Sequence, residues 1–246
     1  MAFGDVMIDP IGPVRTTPAV STIAGFLANA LGLCRWETER LGRLQARLVM
    51  GCRVDRRGER FTEFQTVQLN AADRAWTTLG RVARRAPTGD NYRNKHLRYR
   101  DHSADACVTV ALRLLDEAEP PTLDDIARAL DEPARPLFLG RKPCLPADRL
   151  LIGIMDARTV YDALLRAPLG DRVTPASAKP DGAAPRRARV DERVLLVLPA
   201  GEPCPPGFRP MRATERRDWP AGVHAGEIVS FHGEVPREQL GPPSRG

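Results

Sequence analysis

Tyr92, Lys95, His96 and His102 place a phenol, an amine and two imidazoles within eleven residues. Groups of these types cleave RNA without a metal. A His or Tyr takes the proton of a 2′-hydroxyl, and a Lys stabilises charge developing on the phosphorane oxygens. The spacing argues against that use. Lys95 and His96 are adjacent, and adjacent residues on a strand point to opposite faces, so the two need not reach one phosphate. Holding a polyanion asks less. Arg98 and Arg100 share a strand face, with Tyr99 opposite. That arrangement lines one side with cations for phosphates and leaves a ring either to stack on an unpaired base or to pack in a core.

These residues lie in a longer basic stretch, Arg74 to His102. It holds eight Lys/Arg against two Asp, an excess of six that equals the formal net charge of +6 for the whole chain. Trp76, Tyr92 and Tyr99 sit among the charges. A solvated basic loop is the plain alternative for such a run. A second basic site is Gly140-Arg141-Lys142. There the glycine allows close backbone approach, Arg141 forks a phosphate, and Pro143 stiffens the loop. A third is Arg15-Thr16-Thr17 ahead of Ser21, which reads as the N-cap of a helix whose free N–H groups suit a phosphate. Arg186, Arg187 and Arg189 lie in a polar segment and read as solvated.

Other chemistries find no support. The five cysteines are odd in number and widely spaced, without CxxC or zinc spacing, and read as reduced thiols, with Cys107 and Cys144 buried. No metal site or cofactor is expected. Asp124-Asp125 belong to a helix first turn, where the helix dipole accounts for them. Phosphate-loop, GxGxxG and nucleophile-elbow motifs are missing. No apolar run approaches the roughly 20 residues of a membrane span, and the N-terminus lacks a signal-peptide pattern. These features point to a cytoplasmic protein, and a pI of about 9.4 points to a polyanionic partner.

The elements that position the basic sites follow from periodicity and punctuation. A helix begins at Ser21, with Ile23, Phe26, Leu27, Ala30 and Leu31 on one face, and closes at Gly32. A short helix over 37–44 leads to a strand, Ala46–Val54. Asp55-Arg56-Arg57-Gly58 reads as a turn into a returning strand, Phe61–Leu69. After the basic stretch come a strand (Ala106–Leu115), a helix capped by Thr122, a short strand (Leu150–Ile154) and a helix (Asp156–Ala167). Residues 168–192 read as a flexible loop. Arg193–Pro199 and Glu227–Phe231 are further strands, and the tail after Gly233 should fray. The order resembles a ferredoxin-like βαββαβ sheet whose first strand is missing. An unpaired sheet position is costly, which favours a true start upstream of Met1.

Three segments resemble one family. MAFGD with Pro13–Pro18 and STIAGFLANALGL is similar to the N-terminal signature of the Cas-five (CasD) subunit of type I-E CRISPR Cascade. The matching positions are Arg15, Pro18, Ser21, Gly25, Phe26 and Leu27. Lys95–Asp101 followed by a strand, and Pro136–Pro146 around Leu139-Gly140-Arg141-Lys142, match in the same order. The resemblance covers about residues 1–165. It implies an α+β, ferredoxin-like (RRM/RAMP) palm over 1–54 and 104–167. A basic thumb is inserted over 55–103, the flexible loop covers 168–192 and a C-terminal β extension covers 193–246. It also implies a structural subunit for antiviral defence that holds the 5′ handle of CRISPR RNA, caps the CasC backbone, touches CasA and meets target DNA only through the complex. The residues expected on RNA are Arg15, Thr16, Thr17, Ser21, Tyr92, Lys95, His96, Arg98, Tyr99, Arg100, Gly140, Arg141 and Lys142. None is expected to be catalytic. Relatives of another subtype are endoribonucleases, so metal-independent cleavage of repeat RNA is the competing expectation.

Overall fold

The computed structural model describes residues 1–6, 10–68, 75–76, 82–83, 94–170 and 192–241. Strand β1 (Ile11–Gly12) precedes helices α1 (Val20–Ala30) and α2 (Thr38–Arg47). Strands β2 (Leu48–Arg56) and β3 (Glu59–Val67) follow, then the two-residue strands β4 (Ala75–Trp76) and β5 (Val82–Ala83). Next come β6 (His96–Ala104), β7 (Cys107–Leu114), α3 (Leu123–Asp131) and α4 (Val160–Arg166). The C-terminal part is β8 (Arg193–Pro199), β9 (Arg209–Thr214), β10 (Arg217–Asp218), β11 (Val223–His224) and β12 (Glu227–Pro236). An antiparallel five-stranded sheet runs β7-β2-β8-β12-β9, and a three-stranded sheet runs β1-β6-β3.

Period-two alternation in β2 sorts the core onto two faces. Leu48, Met50 and Cys52 pack with Ala24, Leu27, Leu41, Leu44 and Ile126 of the first three helices. Val49 joins the opposite side, where Val160 and Leu164 of α4 meet Val194, Leu196 and Leu198. Gly51 sits under α4. A Cβ there would stand 2.6 Å from Val160 and 2.8 Å from the Val197 carbonyl oxygen. Thr122 and Asp125 form a reciprocal capping box on α3. Gly32, at φ +79°, ends α1 with its N–H on the Asn29 carbonyl while Leu33 N–H reaches Ala28.

The turn expected at Asp55–Gly58 does not make a hairpin. β2 pairs with β7 and β8, whereas β3 pairs with β6. β2 runs on into β3, and β6 into β7, as two long strands that cross together from one sheet to the other. The crossing is a bend at Gly58 (φ +71°) and Asp105 (φ +53°). A Cβ on Gly58 would collide with the Ala104 carbonyl, so the bend requires glycine.

Other expectations also shift. α1 starts one residue before Ser21, with extended Ala19 in the N-cap position and no side-chain cap. The Ser21 N–H, now inside the first turn, bonds the Glu215 carbonyl at 3.0 Å. Leu150–Ile154 forms no strand because no described strand bonds to it, and Ile152 and Ile154 are exposed. The last helix begins at Val160, where Thr159 accepts the Asp162 N–H. Cys107 and Cys144 are half-buried, and Cys52 is the buried thiol. The tail is docked through Gly241, with Arg237 N–H on Glu192 and Gly241 N–H on Leu165. Near the N-terminus Gly4 bridges to Val14, and the outer edge of β7 carries no strand among the described residues. Most of segment 168–192 lies outside the described residues.

Where β2 leaves the five-stranded sheet, Arg53 is fully buried beside Asp55. Its five N–H donors are all engaged, by both Asp55 oxygens and by the carbonyls of Leu164, Ala167 and Pro168 at the C-terminus of α4. Asp55 Oδ2 also accepts the Thr109 hydroxyl (2.6 Å) and the Gly170 N–H (3.1 Å). Removing one partner leaves a buried charge unpaired. Arg53→Ala is therefore expected to lower unfolding free energy by about 3–5 kcal/mol in urea titration. Arg193→Ala, which removes a pair exposed on both sides, should lower it by under about 1 kcal/mol.

Candidate nucleic-acid interface

The three-stranded sheet has two chemically different faces, because β3 and β6 pair in unbroken register from Glu59↔Ala104 to Val67↔His96. One face carries His96, Arg98, Arg100 and His102 opposite Val67, Gln65, Glu63 and Phe61. The other carries Leu97, Tyr99 and Asp101 opposite Thr66, Phe64 and Thr62. Arg98 and Arg100 do share a face, and Tyr99 lies on the reverse. His96 sides with the arginines, while exposed Lys95 immediately precedes β6.

On the arginine face the second basic loop closes over the sheet. Arg141 Nη1 donates to the Asp101 carbonyl (2.6 Å) and Nη2 to the Gly12 carbonyl (3.1 Å). Arg100 Nε donates to Gln65 Oε1 (3.1 Å). Arg141 Nη2 and Arg100 Nη1 both lie within 4 Å of the point where a Cβ on Gly12 would stand. Among the described residues, neither guanidinium is paired with a carboxylate. Burial, and then the like charge of Arg100, lower the pKa of Arg141 below its ordinary value. The negative charge of an arriving anion would offset both effects. Gly140 makes the approach possible. It holds φ +88°, and a Cβ would collide with the Ala2 carbonyl. Lys142 is exposed beside it.

His102 sits at the base of this face, 6% exposed. Its ring stacks on Phe61 at 5.1 Å, Nε2 lies 3.2 Å from Glu63 and 3.3 Å from Arg141 Nη1, and Nδ1 lies 3.5 Å from Cys144 Sγ. Hydrogen bonds from Gln65, and then from His102, hold the Glu63 carboxyl below its usual range. The residues expected on RNA did not include His102, Glu63 or Phe61. Phe61 and Glu63 lie in the strand read as Phe61–Leu69 and His102 closes the basic stretch, but only the pairing of β3 with β6 brings the three together.

The third expected site is differently arranged. Arg15 forms an ion pair with Glu215, whose backbone carbonyl takes the Ser21 N–H. Thr17 and Ser21 are buried, and the Ser21 hydroxyl has no partner among the described residues. Thr16 is exposed and joins Arg56, Arg57 and Arg60 around a cavity of about 100 Å³ at the bend. Arg56 and Arg57 read as turn residues in sequence, and the bend gathers them with Arg60 into a cluster. Tyr92 lies outside the described residues. No helix among the described residues is long and apolar enough to cross a membrane.

A family model described as CRISPR-associated protein (Cas_Cas5) matches residues 1–229, and the chain belongs to that family. Its α+β architecture, with mainly antiparallel sheets and four α-helices among the described residues, is similar to the fold of a solved chain described as "CRISPR RNA-guided surveillance complex". That chain is 23% identical with a TM-score of 0.61, and the match covers 99% of this chain and 90% of that one. A second, "Crystal structure of Cas protein", is 25% identical with a TM-score of 0.49, covering 93% of this chain and 86% of that one. No curated protein sequence matches.

Gly140→Ala tests the loop. The left-handed backbone and the collision with Ala2 should lower stability by about 1–3 kcal/mol in denaturant unfolding. Gly153→Ala, with open space around it, should change stability by under about 1 kcal/mol.

Proposed function

We propose that this chain is the subunit of a type I-E CRISPR surveillance complex that holds the 5′ handle of CRISPR RNA. In this reading it caps one end of the CasC backbone, contacts CasA, and meets target DNA only through the assembled complex. The setting is antiviral defence in the cytoplasm. Membership of the Cas5 family and the fold shared with a chain of an RNA-guided surveillance complex support the reading. The observation that carries it is the convergence of Arg100 and Arg141 beside Gly12, bonded to neutral acceptors and half-buried. A phosphate fits that place. Guanidinium–phosphate bonds are charge-assisted, and partial burial strengthens them.

No chemical step is assigned to the chain. Lys95 lies outside β6 while His96 is on its arginine face, and His102 is enclosed by Phe61, Glu63, Arg141 and Cys144 rather than open to a 2′-hydroxyl. Purified protein incubated with labelled repeat RNA in EDTA should leave the RNA intact. Site-specific cleavage that disappears in His96→Ala would replace this reading with a ribonuclease. The binding role has its own test. Reversing charge at Arg98, Arg100 and Arg141 should abolish co-purification of CRISPR RNA with the complex, measured by extracting and quantifying nucleic acid. Unchanged RNA content would overturn it.

A further inference from the structure

The reverse face of the three-stranded sheet carries a feature that phosphate binding does not use. Phe64 and Tyr99 are direct cross-strand partners, with ring centroids 5.4 Å apart and planes tilted by 49°. Ile11 pairs with Tyr99 from the third strand, so one apolar row crosses the whole sheet. Phe64 is 56% exposed, Ile11 48%, Leu97 41% and Tyr99 39%. None of the four belongs to either core cluster, so the fold does not account for them. An exposed row of this kind marks a surface that something else covers.

We propose that Phe64 and Tyr99 form a stacking platform for unpaired bases of single-stranded RNA. Three observations favour bases over a protein partner. First, two rings on adjacent strands present π faces at the spacing of neighbouring strands, and sheet-borne aromatics stack bases in this way. Second, the row is four residues long and bordered by Thr62, Thr66 and Asp101 on the same face. A stable protein interface buries about 800 Å² per partner around an apolar centre. Third, exposed Lys95 immediately precedes β6, two residues from Leu97, and supplies a cation for a backbone phosphate at the end of the row.

The topology also joins the two faces. β3 is an outer strand of its sheet, so a nucleotide chain held on the arginine face reaches the rings by crossing one strand. Side chains stand roughly perpendicular to both faces, so a chain rounding that edge spans more than one nucleotide step. Phosphates then lie on Arg98 and Arg100, and a flanking base lies on Phe64 and Tyr99. This inference rests on the RNA-holding reading and adds to it the residues that grip bases.

The test uses the full-length chain and single-stranded RNA of repeat sequence carrying 2-aminopurine at successive positions. Stacking should quench the probe at one or two positions. Phe64→Ala and Tyr99→Ala should remove the quench and weaken binding about 5- to 150-fold for each base released. Phe64→Leu should behave like the alanine variant, and Phe64→Trp should restore the quench. Unchanged urea midpoints would confirm that these surface changes leave the fold intact. If Phe64→Ala and Phe64→Leu bind and quench like the parent while Arg100→Glu loses RNA, the platform is overturned and the RNA-holding function stands. If the variants keep RNA but fail to enter the complex, the row is a protein contact and the proposal is likewise overturned. If the parent chain binds no single-stranded RNA, both readings fall.

Discussion

The buried pair of Arg53 and Asp55 is the joint on which the rest of the structure depends. Taking two ions out of water costs several kcal/mol each, and their attraction offsets that only with excellent geometry and every remaining group satisfied. Here the guanidinium has no idle donor, and Asp55 Oδ2 also receives Thr109 and Gly170. The partners come from four places: β2, β7, the end of α4 and the chain just beyond it. Hydrocarbon of the same volume would fill the space without fixing direction. Five aimed donors define where α4 stops relative to β2, and so where β2 is free to leave the five-stranded sheet. Gly170 shows how closely the parts meet, because a Cβ there would collide with Cys107 Sγ.

Immediately past that joint the two long strands bend together. Asp55 stands inside it, Arg56 bonds the Asp105 carbonyl across the bend, and Gly58 and Asp105 take the left-handed backbone that the turn needs. The bend changes what the alternation of side chains means. Before it, even-numbered residues of β2 and β7 face helices and are apolar. Beyond it, β3 and β6 join neither core cluster, so neither of their faces needs to be hydrophobic. One face becomes cationic and the other aromatic. Arg47 does comparable work at the other end of the same strand. Buried to 1% exposure, it donates to the carbonyls of Leu115, Asp116, Glu119 and Pro121 and so shapes the loop between β7 and α3.

Local signals were legible in the sequence where local physics decides the outcome. The cap at Thr122, the glycine closure of α1 and the apolar run of β8 were read nearly to the residue, whereas the reciprocal part of Asp125 in that cap came only with the fold. Pairing was not legible. Nothing in Asp55-Arg56-Arg57-Gly58 distinguishes a hairpin turn from a bend, because both need a glycine at positive φ. The difference lies in whether β3 returns to β2 or meets β6, and that contact is about forty residues away in sequence. Leu150–Ile154 failed as a strand for a related reason, since β propensity expresses itself only with a neighbour to bond. At the candidate site the parity of Arg98, Tyr99 and Arg100 followed from sequence alone. The joining of Arg141 to Arg100 required the fold, as did the enclosure of His102 by Phe61 and Glu63.

The N-terminus of α1 shows how a sound local expectation is redirected by a distant residue. A helix start preceded by Arg15 and two threonines has the charge and the free N–H groups to bind an anion. The C-terminal part supplies Glu215, buried to 8% exposure, which gives its carbonyl to the Ser21 N–H and its carboxylate to Arg15. The helix terminus is thereby neutralised from within the chain. A phosphate entering there would have to displace an ion pair that is largely out of water. On the arginine face the balance is reversed. Arg100 and Arg141 bond amide and carbonyl oxygens, which leave their charge in place, and each raises the electrostatic energy of the other. Two basic sites of similar composition in the sequence thus differ in the fold by one direct ion pair, and the site whose guanidiniums bond neutral acceptors is where an external anion gains most.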